Sequence, residues 1–206
     1  MRWFMNPSAR VSAHYVVGRD GEIVQMVHEH EKAWHAGQAL LYGDPNVNSM
    51  SIGIELVNWG ELQRDSLGTF YCWPDGFTRK YDISTYGQPF QDQEGKWWAP
   101  YPEVQVEATV KLCQEIVQRY PDIVDKRIVG HSDVAPGRKT DPGPAFDISE
   151  FRLKVFSSSK EETTLPDSAY GDDPAETALA ERQQDRSEPE MSWIERVIAR
   201  LSGIRH

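Results

Sequence analysis

His131 and Asp141 stand ten residues apart in VGHSDVAPGRKTDPGPAFD, residues 129–147, with Arg138 and Lys139 between them. An imidazole nitrogen and a carboxylate oxygen are a common ligand pair for a catalytic divalent metal, zinc most often. A lysine two residues ahead of the carboxylate would bring a positive charge to the same cavity. Pro136, Gly137, Pro142, Gly143 and Pro144 exclude a helix or a central strand through most of the segment, which leaves a shaped loop. The same residues would also suit a solvated surface loop, since two ligands alone do not make a metal site.

The elements that must position this loop follow from periodicity and turn chemistry. VSAHYVV at 11–17 and EIVQMV at 22–27 read as two strands joined by Gly18-Arg19-Asp20-Gly21, a good hairpin turn. AWHAG at 33–37 leads into a loop rich in Gly, Asp, Pro and Asn. SIGIELV at 51–57 is a third strand, with Ile52, Ile54 and Leu56 on one face and Gly53 and Glu55 on the other. A small residue beside an acid on that second face leaves room for a ligand. From Trp59 to Tyr101 no periodicity holds, and the stretch reads as a long binding loop or insertion. Its Trp73, Trp97, Trp98 and Tyr101 suit one wall of a cleft, or equally the packing of that loop onto the body.

A helix is expected over about 103–120, with Val106, Val110, Cys113, Val117 and Tyr120 as one apolar stripe and Pro121 as its stop. Residues 127–130 read as a short fourth strand that delivers His131 to its loop. Short strands with a helix between them predict an α/β layer architecture, a mixed central β-sheet flanked by helices. Residues 157–190 are rich in Ser, Glu, Asp and Pro and are expected to form a disordered acidic linker. Residues 191–206 carry an apolar helical face (Trp193, Ile194, Val197, Ile198, Leu201, Ile204), capped by Ser192 and Glu195.

Composition narrows the function classes. Net charge is −10, but residues 160–190 hold ten Asp/Glu against three Lys/Arg, so the acidity describes the tail more than the domain. Nothing basic enough to track a phosphate backbone is present, which argues against nucleic acid as a partner. No apolar run approaches the ~20 residues of a membrane span. Cys72 and Cys113 form neither a disulfide framework nor a CxxC pair, and Cys113 falls on the helix stripe as a small core residue.

Together VSAHYVVGRDGEIVQMV, KAWHAG, NSMSIGIELVN and the 129–147 block resemble the zinc-dependent N-acetylmuramoyl-L-alanine amidases of type 2, the fold shared with peptidoglycan recognition proteins. The resemblance covers residues 1 to about 156, apart from a divergent stretch at about 59–100. It implies a peptidoglycan or muropeptide substrate, a Zn2+ cofactor, and hydrolysis of the amide between N-acetylmuramic acid and L-alanine by a zinc-activated water. By the same resemblance His131 and Asp141 are two zinc ligands, Glu55 activates the water, and Lys139 steadies charge on the tetrahedral intermediate. His14, His35 and Trp34 would then lie on the substrate side of the cleft. The compartment stays undecided between the cytoplasm and the cell envelope of a bacterium, and the gene could equally be phage-encoded.

The family's first zinc ligand is a His at the end of a strand ahead of the first helix, and the sequence holds neither that strand nor that His. His14 or His35 would have to substitute. The expected explanation is an incomplete N-terminus, with Met1 an internal methionine; the second is a degenerate relative that binds muropeptides without hydrolysing them.

Overall fold

In the computed structural model the described residues are 11–72 and 79–157. The expected acidic linker, the terminal helix and Trp73 lie outside them. Among the described residues seven strands and five α-helices follow one another, the first two helices being single turns (α1, Val47–Met50; α2, Ile83–Tyr86), and the strands divide into two sheets.

The first sheet has the order β2-β1-β3, with β1 at Tyr15–Val17, β2 at Ile23–Gln25 and β3 at Ile54–Leu56. Strand β1 is antiparallel to β2 and parallel to β3, so the sheet is mixed as expected. The turn between β1 and β2 closes through Gly18 N–H to the Glu22 carbonyl at 2.8 Å and needs Gly21 at φ +85. The register sets Val16 beside Glu55. Alternation then sends Ile52, Ile54 and Leu56 to one face and Glu55 to the other.

The apolar face is covered by α3 (Glu103–Arg119), which packs Leu112 and Ile116 against Tyr15 and Val17. Val110 and Cys113 turn toward α5 (Ile148–Ser157), where Phe146, Phe151 and Val155 complete the core. The buried face of α3 is broader than the expected stripe. It includes Gln105 and Thr109, while Tyr120, just past the helix end, is 38% exposed. Gln105 Nε2 donates to the Val17 carbonyl at 3.0 Å and the Val57 carbonyl at 3.1 Å, clipping the ends of β1 and β3 together. A polar side chain is tolerated there because its amide donates to both strand-end carbonyls, supplementing the Val57 N–H that already reaches the Val17 carbonyl at 2.9 Å.

The reading of 59–101 as structureless is corrected. That stretch builds a second, wholly antiparallel sheet of order β5-β4-β7-β6, with β4 at Glu61–Arg64, β5 at Phe70–Cys72, β6 at Phe90–Gln91 and β7 at Trp97–Trp98. Its strands are two to four residues long, too short to show a period of two in the sequence. Its turns are set by aspartates: Asp65 accepts from the Leu67 and Thr69 amides, and Asp92 from the Glu94 and Lys96 amides.

The expected fourth strand at 127–130 is also corrected. Asp125–Arg127 form a 3-10 turn, and the Ile128 carbonyl accepts from Arg152 Nε at 2.7 Å instead of joining a ladder. His131 opens a short helix, α4 (His131–Val134), rather than closing a strand.

Candidate active site

Three segments meet on the face of the first sheet opposite α3. Strand β3 supplies Glu55, the AWHAG loop supplies His35, and α4 with its following loop supplies His131, Lys139 and Asp141. The α4 loop closes on itself: the Ser132 N–H donates to the Asp141 carbonyl at 2.9 Å, and the Asp133 carboxylate accepts from the Gly130 N–H at 2.8 Å. This brings His131 Nδ1 within 2.9 Å of Asp141 Oδ2. His131 Nε2 lies 3.1 Å from the Ala36 carbonyl. Both ring nitrogens thus face acceptors, an arrangement that suits the doubly protonated ring. The bond to Asp141 accordingly raises the His131 pKa against the opposing effect of burial. Burial raises the Asp141 carboxyl in turn, but His131 outweighs it and holds the group below the usual aspartate range.

The AWHAG loop is stitched to the α4 loop by its backbone. Arg138 donates through Nη2 to the carbonyls of Ala36 (2.6 Å) and Gln38 (2.7 Å), and through Nε to Gln38 (3.1 Å). The Leu40 N–H donates to the Val134 carbonyl at 2.8 Å. From the other side, Asn48 Oδ1 accepts from the amides of His35 (2.9 Å) and Ala36 (2.8 Å). A planar five-donor fork is the side chain for such carbonyl gathering.

Glu55 is half-buried among these groups. Burial and then the charge of Asp141 push its carboxyl above the usual glutamate range, while His131 and Lys139 pull it back. That environment favours the protonated form more than it is favoured in a free glutamate. Lys139 is exposed on the same loop.

The room expected beside Glu55 is occupied. A Cβ on Gly53 would overlap the His35 ring, which lies edge-on to His14 at a centroid distance of 5.7 Å. Burial, followed by the influence of His14, lowers the His35 pKa to about 4, so this ring is neutral at ordinary pH. His14 is corrected from cleft wall to interior. It is 1% exposed, its Nδ1 accepts from the Gly53 N–H at 3.0 Å, and its Nε2 donates to the Glu31 carbonyl at 3.0 Å. Trp34 is 53% exposed, although the Lys32 ammonium, 3.9 Å from the ring centroid, covers one face of its indole.

Two aromatic residues of the 59–101 stretch reach the site, as packing rather than as cleft lining. The Trp98 ring occupies the space a Cβ on Gly143 would need, and Trp98 Nε1 donates to Asp92 Oδ2 at 2.8 Å. The Tyr101 hydroxyl donates to the Pro142 carbonyl at 2.9 Å. Sequence reasoning gave no role to Arg138 or Asn48. The signal available was their type, a donor fork and a side-chain amide set among loop residues with free carbonyls and amides.

The donor chemistry of His131 and Asp141 fits zinc, one imidazole and one carboxylate converging from a single loop. The number does not reach three. Among the described residues no three His, Cys, Asp or Glu side chains are grouped closely enough to hold a metal ion, and His14 in particular is 1% exposed, with its ring directed at Gly53 and Glu31.

A mixed sheet backed by a long helix, with an acid on β3 facing a His/Lys/Asp loop, is an α/β domain that gathers ionisable groups on one face, and its family is shown by comparison with known proteins. Residues 1–144 match the Amidase_2 family, described as N-acetylmuramoyl-L-alanine amidase, and the chain belongs to that family. It is 38% identical over 154 residues to the 1,6-anhydro-N-acetylmuramyl-L-alanine amidase AmpD of Enterobacter cloacae, across 75% of this chain and 62% of that protein. The AmpD of Escherichia coli (strain K12) is 37% identical over the same shares of the two chains. The chain therefore spans less than two thirds of the length of these relatives. Among solved structures it is similar to the N-acetylmuramyl-L-alanine amidase AmiD from E. coli in complex with the substrate anhydro-N-acetylmuramic acid-L-Ala-D-gamma-Glu-L-Lys. That similarity has a TM-score of 0.53 and 32% identity, over 70% of this chain and 48% of that one.

Proposed function

We propose that the chain is a peptidoglycan amidase that cleaves the amide between N-acetylmuramic acid and L-alanine, with anhydromuramyl peptides as its substrate class. The observation that carries this reading is the half-buried Glu55, its pKa raised, facing His131, Lys139 and Asp141 in a member of this family. Glu55 takes a proton from the attacking water and returns it to the departing L-alanyl amine, so that the lactyl C–N bond breaks as the new C–O bond is completed. The Lys139 ammonium offsets negative charge developing on the carbonyl oxygen. Trp34 offers an exposed aromatic face to the substrate.

Zinc would be held by His131 and Asp141, with a third ligand outside the set found among the described residues. Bound there, zinc supplies a Lewis acid and lowers the pKa of water. Replacement of Glu55 by Ala is expected to lower turnover of an anhydromuramyl tripeptide by about 10²–10⁴-fold. Elemental analysis would show the same zinc content in both proteins. Undiminished turnover in Glu55→Ala would remove Glu55 from the mechanism.

The two-donor count favours a second reading, a muropeptide-binding module without hydrolysis. Capture of the chain on immobilised muropeptide, with and without chelator, separates the two. Metal-independent capture with no release of L-alanyl peptide would establish the module.

A further inference from the structure

His14 is among the largest fully buried side chains, and every polar atom it carries is hydrogen-bonded. Its backbone N–H donates to the Gly53 carbonyl at 3.0 Å, and its backbone carbonyl accepts from the Met26 N–H at 2.8 Å. Its ring nitrogens take the Gly53 N–H on one side and the Glu31 carbonyl on the other, each at 3.0 Å. His14 therefore contacts both polar groups of Gly53, sharing the carbonyl with the Tyr15 N–H at 3.2 Å. Gly53 lies two positions before Glu55 on the same face of β3, and the His35 ring covers it where a Cβ would stand.

The ladder between β1 and β3 is only three residues long, Tyr15–Val17 against Ile54–Leu56. With so few backbone bonds, the lateral position of Glu55 depends on what fixes the strand's start. In this protein the backbone N–H groups of His14 and Tyr15 hold the Gly53 carbonyl at 3.0 and 3.2 Å, and the His14 imidazole is the side-chain acceptor for the Gly53 N–H. We propose that His14 is a positioning residue for Glu55: it touches neither substrate nor metal, but pins Gly53 so that β3 presents its carboxylate to the His131–Asp141 loop. The proposal rests on the amidase reading for its catalytic consequence, and on geometry alone for the pin itself.

The two ring nitrogens separate the pin from ordinary burial. An Asn amide oxygen sits where imidazole Nδ1 does and can accept the Gly53 N–H. A Gln amide reaches as far as Nε2 and keeps only the bond to the Glu31 carbonyl. The experiment compares the full chain with H14N and H14Q on anhydro-N-acetylmuramyl-L-Ala-D-γ-Glu-L-Lys, alongside exchange of the Gly53 amide followed by NMR. The expected result is that H14N stays within about threefold of the parent kcat, whereas H14Q loses about tenfold or more with KM within twofold. An ångström-scale misplacement of a catalytic group is enough for such a loss. Gly53 exchange should quicken in H14Q and stay slow in H14N.

Equal kcat in H14Q and the parent, or equal losses in both variants, would overturn the proposal, because burial and volume would then explain everything. Should the parent chain itself release no L-alanyl peptide, the amidase reading falls, and Gly53 exchange decides the pin. Protection kept by H14N and lost by H14Q upholds it, and identical exchange in the two variants refutes it.

Discussion

The two sheets are built on different physics, and both meet the same loop. The first is a mixed sheet of three-residue strands, held from behind by α3 through Tyr15, Val17, Leu112 and Ile116. Its open face carries the ionisable groups Glu55 and His35. The second is antiparallel throughout and is held by aromatic contact. Trp59 lies edge-to-face with Tyr81 and Tyr86 at 5.6 and 5.1 Å, Phe70 with Trp97 at 5.1 Å, and Arg64 stacks over both Phe70 and Trp97. It offers the site almost no charge. What it offers is a wall, Trp98 against Gly143 and Tyr101 against the Pro142 carbonyl. The first sheet places Glu55, and the second braces the loop that Glu55 faces.

That division can be broken most forcefully at Trp98. The residue is 5% exposed, and removing a buried Trp side chain costs about 3–5 kcal/mol. Trp98→Ala should loosen the second sheet and free Gly143, lowering the denaturation midpoint together with muropeptide turnover. If turnover held steady while the second sheet melted, that sheet would have no part in positioning the loop.

Gly143→Ala tests the same contact from the opposite side. Its φ of +76 disfavours a side chain by about 1–2 kcal/mol, and the added methyl would also collide with the Trp98 ring. The double variant relieves the collision but not the backbone strain. A favourable coupling between the two substitutions in urea unfolding is therefore expected, of the size typical for touching residues, about 0.5–3 kcal/mol. Tyr101→Phe is gentler. It deletes one 2.9 Å hydrogen bond to the Pro142 carbonyl and should cost about 0.5–1.5 kcal/mol, with a few-fold fall in kcat.

The same contrast explains what could be read in the sequence. The hairpin around Gly18–Gly21, the alternation Ile52/Ile54/Leu56 against Glu55, and the long helix after Pro102 are local patterns, and each appears close to its expected place. The nearness of His131 to Asp141 was also foreseeable, because Pro and Gly force their segment into a loop. The second sheet was hidden because strands of two to four residues have no measurable period and its core is aromatic pairs distant in sequence. His14 was placed on the substrate side by the family resemblance alone, and only the position of Gly53 across the sheet reveals an interior role. At Ile128 the failure was tertiary, since Arg152 captures the carbonyl that a fourth strand would have offered to its neighbour.

The smallest predicted effect sharpens the comparison by pH. On the α3 side of the first sheet, Arg119 grips Glu29 through two nitrogens at 2.7 and 3.2 Å, and the Tyr15 hydroxyl donates to Glu29 at 2.6 Å. Arg119 chiefly, and Tyr15 after the opposing effect of burial, hold the Glu29 carboxyl below the usual glutamate range. A depressed carboxyl stabilises the fold above its unfolded pKa of about 4.3, and the contribution is lost as pH falls through the lower folded value. Tyr15 acts at the other end. Burial first, and then Glu29, push its phenol up to about 12, so its contribution is present below about pH 10 and is lost as pH rises from there toward 12. Arg119 is 45% exposed, so solvent screening keeps the pair within about 1 kcal/mol. Arg119→Met should therefore flatten the acid dependence of amide exchange at Val16 in the first sheet and leave that at Leu62 in the second unchanged. Equal flattening at both amides would mean that the two sheets open as one unit, and that the division of labour between them is geometric rather than energetic.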